Sequence, residues 1–286
     1  MIELILMGIF LGSIYALMGL GFSLIFAGVR GTMNIAHGAL AILGAYLCLL
    51  FAERGLDPLI GMIPVIPIVF IIGYAIQRVL VNKVIYGDPN VVSLLLIGVS
   101  VIVENLAILI WSANPKSLTV FAPYAIQGIT ILGRTVPINY VINFFISIVT
   151  IIIYYLFLKK TFTGMAIRAT SVGHVYAQLL GVNPKKTYAY TYALGTIATG
   201  LAGVLMGLTF TFVPSNSLDW LTIAFGVVVL GGLGSMRGVL AGGLIIGLSH
   251  VLSAYYLGVQ YQLLLGYIVI LIVLALRPEG IFGYKV

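Results

Sequence analysis

Nine apolar runs dominate the chain, at about 4–27, 34–52, 59–81, 91–112, 138–158, 189–212, 219–234, 237–257 and 260–276. A helix that crosses hydrocarbon needs about 20 mostly apolar residues, because inside the bilayer no water is present to satisfy exposed backbone groups. Most of these runs meet that length. The seventh is short, and its tail Gly231-Gly232-Leu233-Gly234 predicts a broken or re-entrant segment. The expected fold is an all-α, polytopic transmembrane helical bundle with nine spans, or eight and a partial one, built as a single domain over 1–286. The first run is read as a span rather than a cleaved leader. It is long, it follows Glu3 instead of basic residues, and it lacks a small-residue cleavage site.

Composition excludes the other classes. Of 286 residues, 62% are hydrophobic and 7% charged, with a mean hydropathy of +1.20. Soluble domains carry about 25% charged residues, and disordered chains are more polar still. The single cysteine, Cys48, allows neither a disulfide framework nor a thiolate metal site. The net charge of +7 in a soluble protein would suggest nucleic acid; here it reads as a topology signal, and no nucleic-acid partner is expected.

With nine spans and the N-terminus outside, the C-terminus is cytoplasmic. The inner side then receives Arg30, Arg78, Lys83, Lys159, Lys160, Arg168, Lys185, Lys186, Arg237, Arg277 and Lys285, while the outer side keeps Arg54, Lys116 and Arg134. Eleven against three is the positive-inside bias of a multi-pass protein of the cell membrane, with some attraction to anionic lipid. Trp111 and Trp220 fall at the outer interface, as an aromatic belt requires.

Thirty-four glycines, many spaced four apart, allow helix backbones to approach closely: Gly8 and Gly12, Gly203 and Gly207, Gly238 and Gly242, Gly243 and Gly247. The spacing fits both a static compact bundle and helices that slide during a transport cycle. Two connections are long. The outer one, about 114–137, alternates apolar and polar residues around glycines from Tyr124 to Val136 and predicts a small hairpin. The inner one, about 159–187, is too polar to span and too apolar for a solvated loop. Met165, Ala169, Val172, Val175, Tyr176, Leu179 and Leu180 recur at helical spacing, with Gly181 and Pro184 as stop signals. Such a helix either lies on the membrane surface or docks into a partner's groove.

The chain has no GxxxxGK[ST] loop, HExxH or GxSxG, so no nucleotide hydrolysis, zinc-protease or serine-hydrolase chemistry is expected of it. No catalytic or metal-ligating residues are assigned. His37 and His250 read as helix–helix hydrogen-bonders. Glu104, beside Asn105, is the one acid deep within a span. A charge there costs about 2.5–3.5 kcal/mol on insertion scales. It must face a polar cavity, pair with a base, or stay protonated. It is therefore either a neutral hydrogen-bonder or a residue of a solute path, together with Ser100, Asn105 and Asn34.

Several motifs occur in a familiar order. Gly12-Ser13-Ile14-Tyr15-Ala16-Leu17, Asn34-Ile35-Ala36-His37-Gly38 and Leu43-Gly44-Ala45-Tyr46 resemble the first two spans of branched-chain amino acid ABC transporter permeases. Thr163-Gly164 through Arg168-Ala169, with Ala177 through Gly181-Val182-Asn183, resembles that family's cytoplasmic loop. Val229-Leu230-Gly231-Gly232-Leu233-Gly234-Ser235 and Leu276-Arg277-Pro278-Glu279-Gly280-Ile281-Phe282-Gly283 continue the likeness to the C-terminus. The resemblance implies a permease subunit with no enzymatic activity and no cofactor of its own. ATP would be used by separate cytoplasmic ATPase subunits, an extracytoplasmic binding protein would deliver solute, and a second, related permease would complete the path. It also implies that Gly164, Arg168, Ala169, Ala177, Leu180 and Gly181 belong to the ATPase-coupling segment. Branched-chain or related neutral amino acids are the implied solutes. Urea or short-chain amides, carried by similar permeases, stay open, as does a self-sufficient secondary transporter or channel using Glu104.

Overall fold

The computed structural model describes residues 1–131 and 133–283; Leu132 in the outer connection and Lys285 of the basic set lie outside them. Every apolar run becomes a helix. α1 (Ile2–Gly28) and α2 (His37–Ala52) come first. α3 (Pro58–Ala75) runs on through a π-helical stretch, Ile76–Val81, into the short α4 (Asn82–Val84). α5 (Pro89–Trp111), the antiparallel strands β1 (Gly128–Ile131) and β2 (Arg134–Pro137), and α6 (Ile138–Lys160) follow. The inner connection holds α7 (Phe162–Val172) and α8 (His174–Leu179). The remaining helices are α9 (Pro184–Gly207), α10 (Ser217–Gly231), α11 (Met236–Tyr256) and α12 (Gln262–Leu276).

Among the described residues, seven helical stretches are long and apolar enough to cross a membrane. The exceptions among the nine runs are α2, with 16 residues, and α10, with 15. At 1.5 Å per residue they reach about 24 and 22 Å, short of a hydrocarbon core of about 30 Å. Both begin inside the bundle. The sequence located the irregularity of the seventh run in its tail, yet that tail is a tight turn, with Gly232 and Gly234 at φ +101° and +80°. What is missing lies at the head, where the chain folds back inward after α9. The same device at residues 29–36 makes α2 start late.

The packing follows from the backbone clefts that glycine opens. α1 and α9 cross at the centre, Gly21 against Gly195. α11 lies along α1, with Gly12 on Gly243, while α3 lies along α9, with Gly73 on Thr196. α10 packs on α1, Gly19 against Val227, and α2 packs on α9, Gly203 against Ala41. The halves α1–α5 and α9–α12 thus exchange equivalent partners while running in opposite directions. α6 sits between them in sequence and turns an apolar face outward, including Phe145, Val149, Ile152 and Ile153.

One end of the bundle carries the β-hairpin and the other carries α7 and α8 with most of the basic residues. These are called here the hairpin face and the basic face. At the hairpin face Tyr46 stacks on Trp111 at 5.0 Å and meets Phe212 edge-on at 5.0 Å. Trp220 is 5% exposed and packs toward Phe212. Protein therefore covers its ring, because the inward fold after α9 brings the first turn of α10 against Phe212. Tyr124 donates to Asp57 Oδ1 at 2.8 Å, and the same oxygen caps α3 by accepting from Leu59 N. Burial, then the hydrogen bond and the nearby charge of Asp57, push the Tyr124 phenol well above its usual value.

Candidate functional site

The first candidate site is where the two late-starting helices meet. Asn34 and the short stretch to Ala36 lead into α2, whose first residue, His37, is fully buried. His37 Nε2 lies 3.0 Å from the carbonyl of Met18, and its ring nitrogens lie 3.2 and 3.3 Å from Thr199 Oγ1. Met18 is 16 residues from the start of α1 and 10 from its end, so α2 begins about 15 Å in from the basic face. Gly38 lies directly against the backbone of Ser217, the first residue of α10. Two helix starts, each a source of partial positive charge, therefore adjoin within the bundle.

Glu104 joins this point from α5. Its Oε1 accepts from Ser217 Oγ at 2.5 Å and from Ser100 Oγ, one turn earlier, at 3.0 Å. Glu104 lies seven residues before the end of α5, about 10 Å below the hairpin face. A carboxylate beside the positive end of α10 suits the dipole, and Asp219 in the first turn of α10 adds a second acid there. Of the residues expected to line a path, the structure brings together Ser100 and Glu104. Asn105 is exposed on another side of α5, donating to Val101 O at 2.8 Å. Asn34 lies on the basic-face side of the α2 start, where its Oδ1 accepts from Tyr192 Oη at 2.7 Å and its Nδ2 is buried with no partner. Ser217 was missed from sequence, although the cluster Pro214-Ser215-Asn216-Ser217 ahead of an apolar run is a helix-start signal. Tyr192 and Thr199 carried no local signal at all.

The histidines act as interhelical hydrogen-bonders: besides His37, His250 Nδ1 lies 3.0 Å from Tyr15 Oη, joining α11 to α1. Among the described residues no three His, Cys, Asp or Glu side chains gather as a metal site would require.

The second candidate site is the inner connection. Sequence pattern read 164–181 as one amphipathic helix; the structure divides it at Gly173, whose extended backbone ends α7 and starts α8. Thr161 caps α7 by accepting from Gly164 N at 3.0 Å, and Gly164 itself is pressed against the end of α6 at Leu158. Ile167, Thr170 and Ala177 are buried and hold the segment to the bundle. His174 packs 5.6 Å from the ring of Tyr86, over which Arg30 and Lys185 also rest, at 5.1 and 5.5 Å. α8 closes with Gly181 in the left-handed region at φ +79°, Val182 N reaching Ala177 O and Gly181 N reaching Gln178 O. That is the hydrogen-bond pair of a Schellman stop, and it makes Gly181 structurally necessary. Of the expected coupling residues, Arg168, Leu180 and Gly181 are exposed, Ala169 is half-buried, and Gly164 and Ala177 face inward.

Between these buried anchors runs an apolar crest. Phe162 is 88% exposed, Val172 84%, Leu179 80% and Leu180 78%, with Val175 and Tyr176 beside them. Isolated exposed apolar residues need no explanation, but a contiguous ridge of large ones marks an interaction surface.

A bundle of this depth, with helices that start inside it and an apolar ridge at one face, defines a multi-pass membrane transport subunit. The family described as the branched-chain amino acid transport system, permease component, matches residues 4–274, and the chain belongs to it. It is 29% identical to the high-affinity branched-chain amino acid transport system permease protein BraD of Pseudomonas aeruginosa, over 96% of this chain and 94% of that one. It is 28% identical to the corresponding protein LivH of Escherichia coli, over 96% and 93%. In fold it resembles PsaBC from Streptococcus pneumoniae, solved in complex with Fab, with a TM-score of 0.55 at 13% identity over 98% of this chain and 92% of that one. The chain is a permease component of the plasma membrane, as its relatives are named permease proteins of transport systems.

Proposed function

We propose that this chain is the membrane subunit of an ATP-driven, binding-protein-dependent importer of branched-chain or related neutral amino acids. In this reading the N-terminus and hairpin face are extracytoplasmic and the basic face is cytoplasmic. ATP is hydrolysed by separate ATPase subunits, and this chain needs no cofactor. The observation that carries the reading is the exposed apolar crest of α7 and α8, held on buried anchors at the face with the positive-inside charges. A ridge so fixed transmits displacement instead of absorbing it. α8 leads through Asn183, which caps α9 by accepting from Lys186 N at 3.1 Å, directly into the central helix. α9 carries Tyr192 against Asn34 and Thr199 against His37, so movement of the crest reaches the α2 start through side chains in contact.

The solute path lies beside α5. There Ser100 and Glu104 are half-buried, and Gly98 and Asn105 are exposed on another side of the helix among apolar residues, whereas α6 exposes Phe145, Val149, Ile152 and Ile153 along its middle and suits lipid. A second permease completes that path across α5. The partnerless Nδ2 of Asn34 supplies a polar contact for solute or water once the α2 start opens. An aliphatic amino acid requires such a mixture, apolar wall for its side chain and fixed polar groups for its charged ends. The test is co-purification with the ATPase subunits of the complex. Leu179→Asp with Leu180→Asp should abolish association and ATP-driven uptake while the chain still inserts and runs as a single species. Retained ATPase association, or ion-gradient-driven uptake by the purified chain alone in liposomes, overturns the reading.

A further inference from the structure

A cavity of about 360 Å³ opens at the basic face between the last turns of α1, the end of α6, α7 and the turn before α11. Its walls are largely apolar, with Leu20 the deepest along α1 and Leu24, Leu158, Ile167 and Met236 nearer the face. Its mouth carries two cations, Lys159 and Arg168, both exposed. Two serine hydroxyls also line the cavity, the buried Ser23, three residues nearer the face than Leu20 on α1, and the exposed Ser171 on α7. From Leu20 to Gly28 the lining runs eight residues, or about 12 Å into the membrane. Tyr155, on the outward apolar face of α6, forms one side of the opening, and Lys159 rests over its ring at 5.7 Å. The cavity therefore gives onto the leaflet.

The charge around it calls for an anion. By chain order eleven Lys and Arg belong to the basic face, whereas only Asp88 and Glu279 of the seven acids do. Asp88 is already engaged, capping α5 by accepting from Asn90 N at 2.8 Å. A soluble anion would find only the mouth useful, since the rest of the lining is mostly apolar. A partner protein would need a side chain entering from the lipid side. The ligand that matches exposed cations at the mouth, a buried hydroxyl within and a mostly apolar wall is a phospholipid with a negative headgroup. We propose that this cavity binds one anionic diacyl phospholipid of the adjoining leaflet, its phosphate between Lys159 and Arg168, an ester oxygen at Ser23, and the first part of an acyl chain along Leu20, Leu24 and Met236. Because α1 and α7 form its walls, the bound lipid ties the inner connection to the central helix.

The experiment is native mass spectrometry of the full chain in detergent, offered phosphatidylglycerol and phosphatidylcholine with identical acyl chains at equal concentration. One phosphatidylglycerol should be retained in preference. Lys159→Gln should weaken that preference about fivefold, the factor carried by one interfacial cation. Ser23→Leu, which fills the slot, should remove the retained lipid of either kind. Excess soluble glycerol 3-phosphate should leave the bound lipid in place. Equal retention of the two lipids, unchanged retention in both variants, or displacement by glycerol 3-phosphate would each overturn the assignment; the first of these would leave the cavity to a protein partner.

Discussion

Replacing Gly38 with alanine probes the contact between the two helix starts. A Cβ at Gly38 would overlap the carbonyl oxygen of Ser217 and approach Leu221 N to 2.8 Å. Both are backbone atoms of α10, so no rotamer change relieves the overlap. Ordinary carbon–oxygen contact needs about 3.4 Å, so α2 and α10 must separate by more than about 1 Å, and close packing opposes that everywhere else along the pair. Overpacking of this kind costs about 1–3 kcal/mol. The separation also stretches the bond from Ser217 to Glu104, and a hydrogen bond contributes about 0.5–1.5 kcal/mol net. Against this, alanine gains up to about 1 kcal/mol in helix propensity over glycine. The net expectation is a loss of about 2 kcal/mol, or a midpoint lowered by about 4–8 °C.

The assay is already present in the chain. Cys48 is the one cysteine, is fully buried in α2, and reports unfolding when a thiol-reactive fluorophore gains access on heating. Gly98→Ala is the control: nothing lies within 4 Å of a Cβ there, so its midpoint should equal or slightly exceed that of the parent. A Gly38→Ala midpoint matching that of Gly98→Ala would refute the claim that α2 and α10 touch backbone to backbone.

Glu104→Gln keeps an acceptor for Ser100 and Ser217 and should retain uptake within a few-fold, whereas Glu104→Leu leaves the Ser217 hydroxyl unpaired and should cost about 1–3 kcal/mol in the same thiol assay. Lost uptake in a stable Glu104→Gln protein would show that the negative charge itself is used. Tyr124→Phe removes the tie between the outer connection and Asp57, worth about 1–2 kcal/mol at this half-buried position. Proteolysis within 114–137 should quicken while the Cys48 midpoint barely moves; unchanged proteolysis would mean that the hairpin is held by other contacts.

The helical class, the count of apolar segments and the hairpin were legible because each depends on local pattern. Twenty apolar residues have few folds open to them in lipid, and alternation around glycine has one common outcome. His37 and His250 were legible as interhelical hydrogen-bonders, since a buried imidazole without acidic neighbours needs a partner on another helix. The division of the inner segment was not. Apolar spacing runs straight across Gly173, and the packing of His174 on Tyr86, some 88 residues earlier in the chain, sets where α8 begins. Gly164 and Ala177 matched the coupling motif as strings, yet their small size serves contact with the bundle while Leu179 and Leu180 stand clear.

The sequence by itself determined that this chain lives in lipid, where its apolar segments lie, which connections are basic and which family its motifs resemble. These are sums over neighbouring residues, and transfer from water to hydrocarbon is nearly additive along a chain. Only the tertiary structure decided that α2 and α10 begin inside the bundle, that Ser217 meets Glu104 across 113 positions, and that Asn34 stands apart from both. Those outcomes depend on how closely two backbones can approach at Gly38, Gly21 and Gly195, and the depth of a helix start is fixed by its neighbours rather than by its own residues.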